Sequence, residues 1–433
     1  MTAGAPYEAE QVLGTILRER WAGESIQRVR LVLTRALLDQ SKADAAVPIL
    51  DEVLKEPSLS EREGAEATRM RAATEYLLNR EAGSRYCEAA DKALDAARRT
   101  GDPELLSRAL FECARSGTNA GDELRVLAVR EEASSLGETS SARAEPMLHY
   151  TLAYCHHLFH DLRAAAACLE TAIVLSSEKT NPTLLSQAYT GYGTCKQGLC
   201  EFGHAATVFQ KAFDLAKRCG DDSRASIIAS NLCATFIHVE DLQSALELGE
   251  TSIALGRRAL NQPRLATSFT NLATVYTLNR DKDRALECLE QAHKFYRTDG
   301  SWGGAIEYLV GAASVALMTG NTSLALDLTA DAERVATGKE RAVPNRGPFD
   351  KFKIFRAAHL FGLEIAAGLA NEARDRYRDR HPLFYLDAVA ASAWVERRRA
   401  GRYHPETEKE LQLFEEWGAN GKRAVSVAQG FLP

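Results

Sequence analysis

The chain has 433 residues, 45% of them hydrophobic and 26% charged, with 12 prolines and no low-complexity tract, which excludes a largely disordered protein. Its 53 basic and 59 acidic side chains leave a formal net charge of −6, so no whole-molecule positive field draws it to nucleic acid or anionic lipid. Such a length allows two or three globular domains or one long repeat array, and composition does not choose between them. The nine cysteines are odd in number, contain no CxxC and lie mostly in apolar helical stretches, as expected of reduced core thiols in a cytoplasmic protein. The segment MTAGAPYEAEQ lacks the basic and apolar run of an export signal, and no eighteen apolar residues stand together, so no membrane span is expected.

Residues 1–140 read as three helical hairpins. Tyr86 and Val126 stand where later repeats carry alanine, and Ala93 and Ala133 follow seven residues on, but this stretch is one residue out of phase with what comes after. From 141 to 336 the chain repeats every forty residues. DLRAAAACLETA from Asp161 and DKDRALECLEQA from Asp281 share Asp, Ala, Cys, Leu, Glu and Ala at equal offsets. Ala165, Ala205, Ala245, Ala285 and Ala325 form one column. Ala172, Ala212, Ser252, Ala292 and Ala332 form a second, seven residues later, and Ala153, Gly193, Cys233, Ala273 and Ala313 a third, twelve earlier. Small side chains at fixed phase on successive helices let those helices approach and neighbouring hairpins stack.

Four residues ahead of each alanine stand Asp161, Glu201, Asp241, Asp281 and Asn321. Their side chains accept from free backbone N–H groups and suit the positive end of a helix, so each marks the start of a second helix. Apolar residues recur at three and four residue steps on both sides, as in SNLCATFIHV and SALELGETSIAL, which makes each unit helix, turn, helix. The period breaks at GKERAVPNRGPFD, and 337–350 is expected to be a loop. Within 351–433, KFKIFRAAHLFGLEIAAGLANEARDRYRDRHP then forms a hairpin offset by about eight residues, and two further helices ending in GFLP cap the array.

This pattern resembles the tetratricopeptide repeat, whose consensus sets Leu beside Gly or Ala in the first helix, an aromatic three residues on, and Ala twice in the second helix. Leu272, Ala273, Tyr276, Ala285 and Ala292 match it, as do Tyr192, Gly193, Ala205 and Ala212. The resemblance implies an all-α fold, a right-handed α-α superhelix of eight to ten helical hairpins. The forty-residue unit, against about thirty-four in the common form, is similar to the variant in bacterial maltose-type activators, peptide-sensing bacterial regulators and animal spindle-orientation adaptors.

In such arrays the first helices line the groove. The resemblance places there Gln187, Thr190, Thr194 and Gln197 from repeat 5, and Ser230, Asn231 and His238 from repeat 6. Repeat 7 adds Thr267, Thr270, Asn271, Thr274 and Thr277, and repeat 8 adds Glu307 and Ser314. Almost all are small, polar and uncharged, and hydroxyls and carboxamides at successive repeats can donate and accept along an extended backbone. Asn231 and Asn271 are the principal candidates, because several tetratricopeptide families hold a bound main chain with Asn at that position. The alternative for both is a hydrogen bond between adjacent hairpins. Tyr150, Tyr154 and His157 of repeat 4 form an aromatic shelf beside the groove or, alternatively, pack one hairpin on the next. Repeats 5 to 8 lack a Lys or Arg on this face, which disfavours a receptor for terminal carboxylates.

His156, His157 and His160 do not share one helical face and carry no metal, and Cys195 and Cys200 are core thiols before they are a zinc pair. There is no Walker loop, dinucleotide fingerprint or nucleophile elbow, so no catalytic residue and no cofactor is expected. Arg374, Arg376, Arg378, Arg380, Arg397, Arg398, Arg399 and Arg402 are interleaved with acids and read as a solvated face. The expected function is a scaffold, not an enzyme, that binds an extended peptide or partner-protein segment in its groove. The alternative is the ligand-sensing array of a bacterial signalling or transcription regulator whose effector domain lies elsewhere. Membrane and nucleic-acid partners are not expected, and a homo-oligomer stays open.

Overall fold

The computed structural model describes residues 10, 11, 13, 14, 24–40, 42–78, 83–139, 144–259, 262–299, 302–337 and 346–415. Among them are twenty α-helices and no strand. They pair in chain order as ten hairpins, the upper end of the expected number. The first three are α1 (Glu24–Asp39) with α2 (Ala43–Leu54), α3 (Glu61–Leu78) with α4 (Gly83–Thr100), and α5 (Pro103–Ala120) with α6 (Glu123–Leu136). Hairpins 4 to 6 are α7 (Pro146–Leu158) with α8 (Leu162–Leu175), α9 (Pro182–Gly198) with α10 (Phe202–Arg218), and α11 (Asp222–His238) with α12 (Leu242–Arg258). Hairpins 7 and 8 are α13 (Gln262–Leu278) with α14 (Lys282–Asp299), and α15 (Trp302–Met318) with α16 (Thr322–Ala336). The last two are α17 (Arg346–Leu360) with α18 (Leu363–Tyr377), and α19 (Pro382–Ala400) with α20 (Pro405–Glu415).

The turn inside each hairpin follows from local chemistry. His160, Cys200, Glu240 and Arg280 adopt left-handed backbone at φ of 60–64°, and Gly121 and Gly320 do the same in hairpins 3 and 8. That conformation lets the next amide reach back five residues, as in Asp241 N to Phe236 O (3.1 Å) and Asp281 N to Tyr276 O (2.8 Å). The residue after it caps the second helix: Asp241 accepts from Ser244 N, Asp281 from Arg284 N and Asn321 from Leu324 N, at 3.1–3.2 Å.

The columns of small residues are the buried seams. Ala165, Ala205, Ala245, Ala285 and Ala325 are all fully buried, as are Ala172, Ala212, Ser252, Ala292 and Ala332. In hairpins 1 to 3 the same positions fall to Ala46, Tyr86 and Val126, with Val53, Ala93 and Ala133 seven residues later, again buried and again at a forty-residue step. The one-residue phase change therefore lies in the connection between Val126 and Ala165, which is 39 residues long.

Two expectations for the C-terminal part are corrected. Helix α17 starts at Arg346, inside the segment 337–350 expected as loop. Pro348 does not prevent this, because the first-turn amides of a helix have no partner to lose. The following hairpin is offset by one residue, not eight: Ala366 N reaches Gly362 O as Ala325 N reaches Asn321 O, and Ala366 and Ala373 are buried like their predecessors. Residues 1–9, the segment 338–345 and the tail beyond 415 lie outside the described residues.

The chain divides into two compact units. The first holds residues 1–159, 164–192 and 210–225, and the second 160–163, 193–209 and 226–433. In the first, Leu94, Leu110, Cys113, Val126 and Leu148 belong to one core cluster. In the second, a continuous core runs from Ile253 to Val395 and takes its largest groups from Phe349, Phe355, Tyr377, Phe384 and Trp394. No helix among the described residues is long and apolar enough to cross a membrane.

Candidate functional site

Consecutive first helices pack side by side within each unit, so residues at matching phase on them form one face. In the second unit that face carries Thr194, Gln197, Ser230, Asn231, His238, Thr270, Asn271 and Thr274. The threonines turn inward on their own helix. Thr270 donates to Ala266 O at 2.9 Å, Thr274 to Thr270 O at 3.1 Å and Thr277 to Ala273 O at 2.7 Å. Close approach is built in at Gly311, where a Cβ would lie 2.3 Å from Thr270 Cγ2. His238 lays its ring against Phe202 at 5.1 Å.

The two asparagines differ in their partners. Asn271 Nδ2 donates to Ser230 Oγ at 3.0 Å and to Ser230 O at 3.2 Å, which ties α13 to α11. Asn231 sits one residue beyond Ser230, is half-buried, and makes no side-chain hydrogen bond among the described residues.

In the first unit Tyr150 and Tyr154 pack on Phe111 of the preceding first helix, with centroids 5.3 and 5.4 Å away. Burial raises the pKa of both phenols and lowers that of His157, so none of the three is charged near neutral pH. Thr190 donates to Ser186 O at 2.7 Å.

Below the tyrosines lies a charged network that sequence reasoning missed. Arg115 stacks on Tyr76 at 3.8 Å and reaches Glu112 (2.5 Å) and Tyr86 Oη (2.8 Å), while Tyr86 donates to Glu112 at 2.8 Å. Arg69 holds Glu66 with two hydrogen bonds of 2.9 and 3.0 Å, and Arg35 reaches the same carboxylate at 2.7 Å. Arg108 meets Glu104 at 3.1 Å. Arg224, at the start of α11, pairs with Asp221 at 3.1 Å, and its guanidinium also donates to the Gln187 carboxamide oxygen at 2.9 and 3.2 Å. Repeat 6 thus does carry an arginine on this face, against expectation. The signal was in the register: 39 residues before Tyr150 and Tyr154 stand Phe111 and Arg115, and Glu112 falls in the asparagine column.

Other expected features resolve as packing. His160 is a turn residue whose ring meets Tyr377, His381 and Phe384 at 5.6–5.9 Å. Among the described residues no three His, Cys, Asp or Glu side chains could hold a metal ion. Burial pushes the thiols of Cys113, Cys155, Cys200 and Cys233 up to about 12, so they stay protonated. Arg374 is not solvated but buried with Glu410 at 2.6 Å, and the half-buried Arg376 meets Asp350 at 2.6 Å.

Residues 224–298, which span most of hairpins 6 and 7, match the tetratricopeptide repeat family. The repeats are of the tetratricopeptide type. No curated protein matches the chain. Among solved structures, a Rap protein complexed with competence and sporulation factor is 11% identical with a TM-score of 0.55, covering 90% of this chain and 99% of that one. Aspartyl phosphate phosphatase F from Bacillus subtilis is 12% identical, TM-score 0.45, over 88% of this chain and 95% of its own. The Rap conjugation gene regulator of plasmid pLS20 with the Phr* peptide is 12% identical, TM-score 0.45, over 92% and 98%. At these identities the likeness is one of fold. The tetratricopeptide hairpins explain why the residues above share a face.

Proposed function

We propose that the chain is a tetratricopeptide-repeat scaffold, not an enzyme, that holds an extended peptide or partner-protein segment against its first helices. The observation that carries this reading is Asn231. Its carboxamide offers two donors and an acceptor, has no side-chain partner among the described residues, and stands beside Ser230 on a face of small polar groups. An extended segment presents one N–H and one C=O per residue and needs such partners when it leaves water. The Rap protein with its bound factor has the same fold over nearly its whole length, which supports a ligand-carrying role for such an array.

The test is affinity capture with the wild type and Asn231→Ala, followed by hydrogen–deuterium exchange on the complex formed with the captured partner. The variant is expected to lose the partner, and the wild type to gain protection in α9, α11 and α13. Capture of the same partner by both proteins, with protection confined to the second helices, would overturn the assignment.

A further inference from the structure

Three consecutive first helices of the first unit carry a row of half-buried rings. Tyr76 stands on α3, Phe111 on α5, and Tyr150 and Tyr154 on α7. The Arg115 guanidinium lies 3.8 Å from the Tyr76 centroid and 5.2 Å from that of Phe111, and Phe111 meets Tyr150 at 5.3 Å and Tyr154 at 5.4 Å. The Phe111 ring is tilted by 55° to Tyr150 and by 77° to Tyr154, so ring faces and ring edges alternate along the row.

The row offers a donor and withholds acceptors. Tyr150 Oη has no hydrogen-bond partner among the described residues, whereas Tyr154 has Thr118. Glu112, the carboxylate beneath the rings, is buried and taken up by Tyr86 at 2.8 Å and by Arg115 at 2.5 Å. In mid-helix the main-chain carbonyls are bonded within their own helix. An ordinary extended segment brings one N–H per residue and leaves it unpaired on such a surface. Proline has no N–H to leave unpaired. Its polyproline helix also has no internal hydrogen bonds, so the carbonyls stay ready to accept and the pyrrolidine rings can lie on aromatic faces.

We propose that this row is a docking surface for a proline-rich segment in the polyproline conformation. The proposal shares with the scaffold reading the premise that the guest is a protein segment, and it concerns the first unit, whereas Asn231 lies in the second. The lengths agree. First helices packed side by side at about 8–10 Å set α3 and α7 roughly 16–20 Å apart, which about six prolines span at about 3.1 Å each. Charged guests fit less well: a basic segment meets the Arg115 cation within the row, and an acidic one finds that guanidinium already held by Glu112.

Titration calorimetry with three capped decapeptides tests the proposal: all proline, alternating Ala and Gln, and alternating Tyr and Gly. The wild type is expected to bind decaproline at least about tenfold more tightly than the Ala–Gln peptide. Tyr150→Phe removes a hydroxyl with no bond to lose, so it should melt with the wild type and bind decaproline about threefold to tenfold more weakly. Phe111→Leu keeps an apolar side chain but not the ring face, and should weaken decaproline at least as much.

Equal binding of decaproline and the Ala–Gln peptide, or tighter binding of the Tyr–Gly peptide, overturns the choice of guest. Wild-type affinity for decaproline in both variants overturns the site and assigns the rings to packing. Failure of decaproline to bind a wild type that still captures its partner overturns the row and leaves the scaffold reading standing. Decaproline binding by a wild type that captures no partner supports the row and leaves the Asn231 assignment to fail alone.

Discussion

Asn231 and Asn271 occupy one column of the repeat, yet only Asn271 has a side-chain hydrogen-bond partner among the described residues, and a pair of single variants measures the difference. Asn271 makes two hydrogen bonds to Ser230, across a 41-residue step that joins neighbouring first helices. At about 1 kcal/mol net for each bond, Asn271→Ala removes about 1–2 kcal/mol from the α11–α13 contact, a factor of about 5–30 in local opening. Asn231 has no side-chain bond to lose among the described residues, so Asn231→Ala should change stability by less than about 0.5 kcal/mol. Native-state hydrogen exchange suits a repeat array, whose units open locally, and reads the amides of these two helices directly. Faster exchange is expected in both helices for Asn271→Ala and near-wild-type exchange for Asn231→Ala, with the partner lost by the latter. Equal destabilisation by both substitutions would refute the division between a structural and a ligand-facing asparagine.

Glu66 is nearly buried, and although burial resists its ionisation, Arg69, Arg35 and Arg108 together hold its carboxyl well below the usual range. Its contribution is therefore complete above the unfolded Glu value of about 4.3 and is lost as pH falls below it; Glu66→Gln should cost about 3 kcal/mol at pH 7 and flatten the acid limb of urea unfolding curves taken between pH 3 and 7. Parallel curves for the two proteins would contradict the ion pairing. Glu240 is held left-handed at φ 60°, a conformation that costs a non-glycine residue about 1 kcal/mol, so Glu240→Gly should raise the melting temperature while circular dichroism stays unchanged. Gly249→Ala sets a Cβ 2.4 Å from Leu272 Cδ2 and should cost about 1–3 kcal/mol in chemical denaturation, with a neutral result showing that α12 and α13 can separate cheaply.

The hairpins were legible because stacking leaves its mark at short range. A second helix needs an acceptor at its start and a small residue four positions later, and both Asp241 with Ala245 and Asp281 with Ala285 meet that need within five residues of chain. The register of the first three hairpins was harder to read, because Tyr86 and Val126 fill the alanine position. Tyr86 fits there because its hydroxyl has Glu112 and Arg115 to meet. The polar connection after Leu136 then hides the lost residue, since a loop carries no hydrophobic period.

What stayed illegible were the charge pairs across helices. Arg35 with Glu66 and Arg69 with Glu112 join residues 31 and 43 apart, and no local spacing announces them. Buried pairs of this kind give little stability over an apolar seam of the same volume. The second unit shows what the same columns hold without them: Thr270, Asn271 and Thr274 stand at the positions of Phe111, Glu112 and Arg115, and the helices still pack. A face of hydroxyls and carboxamides suits a main chain, which every peptide has.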